Sequence, residues 1–422
     1  MNKLLAHCYL AAGLTIAVLH TPAVAADVSP PADLPPRAAV EMTLAAQPMV
    51  KAAQAEFRGA QAEHSRLKAG EHEFGLRLTT QRRSISGGPD ANEWNAGIER
   101  GLRLNGKAGL DDRIGQQEVM AAEERVGDAR HESARQLLTL WYAARQAKLE
   151  AALWRKQTEL LSAQRRIVET RVKRGDAPRL DMFQADAAVA QALSQASAAQ
   201  ARENVALTEL RARFPELPAP DDSVVPPSPP PDDAAIWLQR TLAHNHELLA
   251  AQRMLDKSRL QLQRAQANRI PDPTLGLHLA SEQGGNDKII GLTLSFPLPG
   301  EARRAQTQGQ QAQVDAMSEM EAATRRRLAA ESSANWQRAV AGVETWQSLE
   351  QAATAMNSHA DLARRAHELG ELGLSDALLA RRTLLETQLA AGQARLAANE
   401  AIARLLLDAH QLWPMEDHDD HH

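Results

Sequence analysis

Two periodicities divide this chain. Over long stretches apolar residues recur every three or four positions, as at Leu153, Leu160 and Ile167, or at Val340, Val343, Leu349, Ala353 and Met356. No proline interrupts the chain between Pro89 and Pro178, or between Pro299 and Pro414. Helical period and proline-free length together predict two very long helices, near 108–173 and 301–369, each ~100 Å at 1.5 Å per residue. Apolar stripes of that length need coiled-coil neighbours to cover them. Turns at Gly175 and at Gly370–Gly373 fold each helix back into a partner, near 178–214 and 375–412. One further helix opens each half, near 38–70 and 233–269.

Between the opening helix and the long helix of each half the period drops to 2. Phe74, Leu76, Leu78 and Thr80 alternate with Gly75, Arg77, Thr79 and Gln81. Trp94, Ala96, Ile98, Leu102 and Leu104 alternate with Asn95, Gly97, Glu99 and Arg103, and Arg100 interrupts the apolar phase. The second half repeats this with Leu275, Leu277 and Leu279, then Ile290, Leu292, Leu294 and Phe296, against Gly276, His278, Ala280, Gly291, Thr293 and Ser295. Two hairpins are predicted, near 74–104 and 274–296, each apolar on one face. Four strands cannot close a barrel, and an open sheet leaves bare edges. Either the hairpins pack on a soluble core, or several subunits pool them into one transmembrane barrel, apolar to lipid and polar to the lumen. No other segment offers an apolar surface to receive them, which favours the barrel. Phe74 and Phe296 then mark one membrane interface and Trp94 the other.

The whole plan is written twice. Gly175 and Gly370 are separated by 370 − 175 = 195 positions, and Asp181 with Asp376 and Trp141 with Trp336 keep the same offset. Leu102-Arg-Leu-Asn-Gly106 has a counterpart one residue out of step, Phe296-Pro-Leu-Pro-Gly300. The organisation is therefore read as a signal sequence at 1–25, a first repeat at 26–217, a proline-rich linker at 218–233, a second repeat at 234–414 and a His/Asp-rich tail at 415–422. The signal rests on Lys3, the apolar run from Leu10 to Leu19 and the small residues Ala23-Val24-Ala25. Nothing later approaches the ~20 apolar residues of a spanning helix.

Composition narrows the function classes. Hydrophobic residues make up 44% of the 422 positions but aromatics only 3%, with alanine, glutamine, leucine and arginine abundant. That balance suits long, closely packed helices better than a loop-rich enzyme. A net charge of −5 gives no nucleic-acid footprint. The single cysteine, Cys8, lies within the signal and follows Ala6-His7 rather than a lipidation motif, so disulfides and thiolate metal sites are excluded from the mature chain. There is no Gly-x-Ser-x-Gly, phosphate loop or His-Glu-x-x-His, so neither catalysis nor a cofactor is expected.

The duplicated helix–hairpin–helix–turn–helix plan, the Gly-x5-Asp at each helical turn and the Leu-x-Leu-x-Gly type exit from each hairpin resemble the TolC-like outer membrane factors of bacterial tripartite efflux and secretion systems. The resemblance spans nearly the entire mature chain. It implies a mixed, mostly α fold: a long coiled-coil helical barrel, plus four strands per protomer in a shared transmembrane β-barrel, trimeric and internally duplicated. It implies a homotrimer set in outer membrane lipid, its helices reaching through the periplasm to a membrane-fusion adaptor and an inner-membrane RND pump. Arg269-Ile-Pro-Asp-Pro-Thr-Leu-Gly276 and Phe296-Pro-Leu-Pro-Gly300 look like the cobalt–zinc–cadmium branch, which implies divalent metal cargo. Drug efflux, type I secretion and a periplasmic coiled-coil adaptor or scaffold are the competing readings.

The same resemblance singles out residues. Asp376 aligns with the family's periplasmic aperture, and Asp181 is its counterpart in the first repeat, although Leu379 stands where a second aspartate is common. Both aspartates are equally explained as helix N-terminal residues favoured by the local dipole. Gly175, Gly370 and Gly373 mark the turns that meet the adaptor, and a helix C-cap explains such glycines without it. His418, His421 and His422 in the tail are the candidates for metal, since imidazole suits zinc, cobalt and nickel, although a terminal charge run is usually only solvated. His278 is a lone histidine on the lumen phase of its strand. His244 and His246, two apart on a helix, should not share a face. Met317 and Met320 are expected to fill a helix interface.

Overall fold

The computed structural model describes residues 31–84 and 86–413. The expected signal sequence at 1–25 and the tail histidines His418, His421 and His422 lie outside the described residues. The elements run α1 (Arg37–Ala46), α2 (Pro48–Ala69), β1 (Gly75–Arg83), β2 (Ala91–Gly101), α3 (Lys107–Arg174), α4 (Arg179–Arg213), α5 (Ala234–His244), α6 (His246–Ala267), β3 (Thr274–Glu282), β4 (Asp287–Ser295), α7 (Glu301–Leu369) and α8 (Leu374–Asp408). The duplication is nearly exact in length: 22 residues each for α2 and α6, 68 and 69 for α3 and α7, 35 each for α4 and α8.

The expectation of one opening helix per repeat needs correction, because each is broken in two. In the first repeat Pro48 lacks the N–H an uninterrupted helix requires and pushes Gln47 into extended backbone, at φ −61° and ψ 135°. No proline marks the break in the second. There Asn245 leaves the helix at φ −72° and ψ 112°, and its side chain accepts from the Leu248 N–H as a new N-cap.

The principal core lies where the two repeats meet midway along the long helices. Trp141, Tyr142, Leu137 and Leu138 of α3 pack there with Ile402 and Leu405–Leu407 of α8, and with Phe214 and Trp237. Three consecutive buried leucines make α8 apolar all round at this level, each contributing roughly 1.5–3 kcal/mol of transfer free energy. The lead-in to each repeat crosses its own tryptophan: the Trp141 indole N–H donates to the Asp33 carbonyl (2.8 Å) and that of Trp336 to the Asp232 carbonyl (3.0 Å). The Asp33 carboxylate accepts from Tyr142 and Asn399, with Arg145 beside it. The proline-rich linker is fixed in the same way. Arg145 binds Asp221 and the Ser223 carbonyl, Lys148 the Pro220 carbonyl, and Asn399 the Val225 carbonyl.

Burial is uneven among the long helices. α8 buries fifteen of its 35 residues, whereas α7 buries eight of 69 and α4 five of 35. α3 contacts α2, α4, α6 and α8, so α3 and α8 form the middle of a wall whose edges are α4 and α7. The methionine expectation fails within the protomer for this reason: on the edge helix α7, Met320 is exposed and Met317 only half-buried.

The four strands form one antiparallel sheet in the order β1-β2-β3-β4, with β2 and β3 joining the two repeats. Register aligns Leu76, Ile98, Leu277 and Leu292 in one row, and Leu78, Ala96, Leu279 and Ile290 in the next. Because side chains alternate with period 2, these two rows fall on a single face, while Ile289 and Ala280 pair with each other on the opposite one.

Candidate functional site

The apolar face of the sheet is bare. Leu76 is 72% exposed, Leu292 78% and Ile290 77%, and among the described residues no helix covers them. Strands of nine to eleven residues match what a tilted strand needs to cross hydrocarbon. Phe74 and Phe296 lie at the helix-proximal end and Trp94 toward the loop end, all largely exposed. Arg100, which broke the apolar phase, folds its guanidinium over the Phe74 ring at 4.7 Å, while its Nε donates to the His72 carbonyl (3.0 Å). Its charge is thereby drawn to the edge of the apolar band, as amphipathic side chains do at a membrane interface.

The opposite face is concave and polar. Arg77 pairs with Glu99 (2.9 Å), Arg83 with Glu93 (2.8 Å), and Gln81 donates to Glu93 (2.7 Å). His278 lies between Gly97 and Gly291, and a Cβ at Gly291 would collide with the imidazole. Glycine at that strand position lets the ring lie flat beside Thr293, whose hydroxyl is 3.3 Å from Nδ1. β1 and β4 each pair on one side only, so both outer edges of the sheet keep unpaired backbone groups.

The sheet is bolted to the helices by buried charge that sequence reasoning did not find. Lys107, at the first position of α3, is fully buried, and its ammonium donates to Asp272 (2.8 Å) and to the Ile270 carbonyl (2.7 Å). Asp272 also accepts from the Leu104 N–H (3.0 Å), with His72 Nε2 at 3.4 Å. Burial opposes its charge, but these donors hold the carboxyl below the usual carboxylate range. Beside it Asp111 accepts from Arg264 (2.6 Å) and Arg103 (3.2 Å), and Arg103 also caps the Leu67 and Lys68 carbonyls at the end of α2. The only signal was the Arg269–Gly276 motif, whose Asp272 is the hub. Its buried lysine is 165 positions away.

At the far end, the two helical turns are built alike. α3 ends at Gly175 (φ +81°) and α7 at Gly370 (φ +82°). Asp176 N–H bonds back to the Arg171 carbonyl (2.8 Å) and Glu371 N–H to that of Ala366 (2.9 Å), the six-to-one closure for which left-handed glycine is suited. Gly373 is different. It has extended backbone, and Pro178 occupies the same place in the first repeat, so no left-handed geometry demands glycine there. Asp181 and Asp376 are each the third residue of α4 and α8. Asp376 is exposed, Asp181 half-buried, and neither carboxylate has a hydrogen bond or ion pair among the described residues. The structure brings the two tips together: Val168, Ala185 and Leu374 pack with Val172, Met182 and Leu378, and Arg171 reaches the His367 carbonyl at 3.5 Å. His367, unremarked in the sequence, is buried, and its Nδ1 donates to the Leu372 carbonyl (3.0 Å) to brace the second turn.

No protein-family model matches the sequence, and no curated protein matches it. Solved structures do. The chain is similar to the outer-membrane channel OprN at 19% identity, covering 89% of this chain and 90% of that one with a TM-score of 0.77. The CmeC outer membrane channel of Campylobacter jejuni matches at 15% identity, over 90% and 86%, with a TM-score of 0.75. The outer membrane protein VceC of Vibrio cholerae matches at 18% identity, over 90% and 96%, with a TM-score of 0.74. The fold is that of outer membrane channels. The long helices and four-stranded contribution expected from the TolC-like resemblance are thus present in one chain.

Proposed function

We propose that this protein is the outer membrane channel of a tripartite efflux system, a passive conduit rather than an enzyme. The observation that carries this reading is a four-stranded sheet with a bare apolar face, a polar concave face and two unpaired edges, set on helices of 68 and 69 residues. Three copies pairing β4 of one with β1 of the next would close twelve strands, an even number within the range of outer membrane barrels. The lightly buried edge helices α4 and α7 fit the same closure. Lipid would meet Leu76, Leu78, Ile290 and Leu292, and solute would pass the Arg77–Glu99 and Glu93 face. An inner-membrane RND pump would supply energy and most selectivity through a periplasmic adaptor. The adaptor would meet the turns at Gly175, Gly370 and Gly373, while Asp376 and, farther from the axis, Asp181 would line the periplasmic aperture.

Divalent metal cations are the proposed cargo, supported by the segments around Pro271 and Pro297 that resemble the cobalt–zinc–cadmium branch. Deleting the gene should sensitise cells to zinc, cobalt, nickel or cadmium more than to hydrophobic drugs, and removing residues 417–422 should alter resistance only slightly. Sensitisation to drugs alone would move the assignment to drug efflux. A monomer that is helical and soluble without detergent would overturn the channel itself and favour a periplasmic scaffold.

A further inference from the structure

The two helical turns at the far end share a backbone and differ in charge. Residues 171–181 carry Arg171, Lys173, Arg174 and Arg179 against Asp176 and Asp181, a net of +2. The same window 195 positions on, residues 366–376, carries Glu368, Glu371 and Asp376 and no lysine or arginine, a net of −3 with His367 neutral. Backbone geometry does not account for the difference, since both long helices close through a left-handed glycine and the same six-to-one hydrogen bond. The side chains differ on one frame: Leu369 and Leu374 stand where the first turn has Arg174 and Arg179.

Most of this charge is unmatched within the protomer. Lys173 pairs with Glu169 and Glu368 with Arg364, each along its own helix. Arg174, Arg179, Glu371 and Asp376 are exposed, and among the described residues they form no ion pair. The turns pack together through Val168, Ala185 and Leu374, and Arg171 reaches the His367 carbonyl, yet among the described residues no ion pair crosses from the basic turn to the acidic one. Exposed charge by itself is ordinary solvated surface. Here it borders exposed apolar side chains, Leu180 and Phe183 beside the basic turn and Leu369 and Leu379 beside the acidic one. Apolar anchors within a polar rim are the make-up of a protein interface.

We propose that the two turns form a bipolar docking surface, whose partner sets an acidic patch against the Arg174 and Arg179 turn and a basic patch against the Glu368 and Glu371 turn. This rests on the reading that the turns meet a periplasmic adaptor, and adds the chemistry that adaptor must present. Charge here fixes orientation and speeds encounter more than it adds affinity. A partner displaced from one turn to the other would set like charges together, and that juxtaposition rejects it. In the proposed three-copy channel the turns alternate in sign around the mouth, so equivalent partner contacts recur once per protomer rather than once per turn.

Charge reversal tests this in a strain lacking the gene and supplied with it in full-length form, scored by the inhibitory concentrations of zinc chloride and of a hydrophobic drug. Arg174→Glu with Arg179→Glu, and separately Glu368→Lys with Glu371→Lys, should each lower protection by about fourfold or more. Arg174→Lys with Arg179→Lys keeps the sign and should keep protection within about twofold. For every variant the heat-modifiable oligomer and the planar-bilayer conductance of the isolated channel should match wild type, because the charges act on a partner. Full protection by both reversals overturns the proposal, as does an equal loss in the lysine variant. Lost protection accompanied by altered conductance of the isolated channel also overturns it, since the charges then act within the channel. Should Arg174→Glu with Arg179→Glu not assemble, Arg174→Gln with Arg179→Gln takes its place; a loss of about twofold or more is expected, and full protection overturns the proposal. A wild-type gene that protects against neither solute overturns the efflux reading itself, and this inference with it.

Discussion

Replacing Asp272 with alanine removes the hub that joins the sheet to the helices. The Lys107 ammonium, wholly buried, would keep the Ile270 carbonyl and lose its one carboxylate partner among the described residues. Breaking a buried pair by deleting one member costs about 3–5 kcal/mol, because the survivor is an uncompensated charge. The Leu104 N–H and His72 lose their acceptor as well, which places Asp272→Ala at the upper end. Lys107→Met is milder. Asp272 would retain Leu104 and His72, and methionine fills most of the volume, so about 1–3 kcal/mol is expected. With both changes no buried charge is stranded, and the double variant should be less destabilised than the sum by about 2 kcal/mol. An unfolding entropy of about 2.1 cal/mol/K per residue gives roughly 0.9 kcal/mol/K for 422 residues. Asp272→Ala should therefore lower the midpoint of the helical melt in detergent by about 4–5 °C, and Lys107→Met by about 1–3 °C. Circular dichroism at 222 nm reads both. Additive effects, or a larger loss from Lys107→Met than from Asp272→Ala, would refute the assignment of a stranded charge.

Three further outcomes follow from other parts of the molecule. Leu292→Arg, on the bare apolar face, should cost about 2–4 kcal/mol in the membrane and abolish the heat-modifiable oligomer on gels, whereas Thr79→Arg on the polar face should leave it intact. Burial holds His131 neutral with a pKa of about 3, against 6.5 unfolded, so its stabilisation is complete above pH 6.5 and is lost as pH falls from there toward 3. At pH 5 that amounts to about 2 kcal/mol, and His131→Gln should flatten this part of the pH dependence of melting. In planar bilayers Asp376→Ala should change resting conductance and cation preference, and Asp181→Ala should do so less. Unchanged ion selectivity in a correctly assembled Asp376→Ala channel would remove the aspartate from the aperture.

The sequence by itself determined the elements and their duplication. A period of 3.6 held over a proline-free stretch, or a period of 2 held over nine residues, is a local property, and so is a C-cap glycine. The long helices fall within a few residues of their expected ends, and the hairpin faces follow from alternation alone. Only the tertiary structure decided what depends on residues far apart. Asp272 reads only as part of the Arg269–Gly276 segment until Lys107 is buried against it, and the linker only as a proline-rich spacer until Arg145 and Asn399 take its carbonyls. The break at Asn245 is invisible because asparagine is tolerated within helices. Its capping role emerges only when its side chain takes the Leu248 N–H at the start of α6. Local periodicity is set by each segment's own burial pattern, but a buried charge or imidazole acquires meaning from the partner that offsets its desolvation, and topology alone supplies that partner.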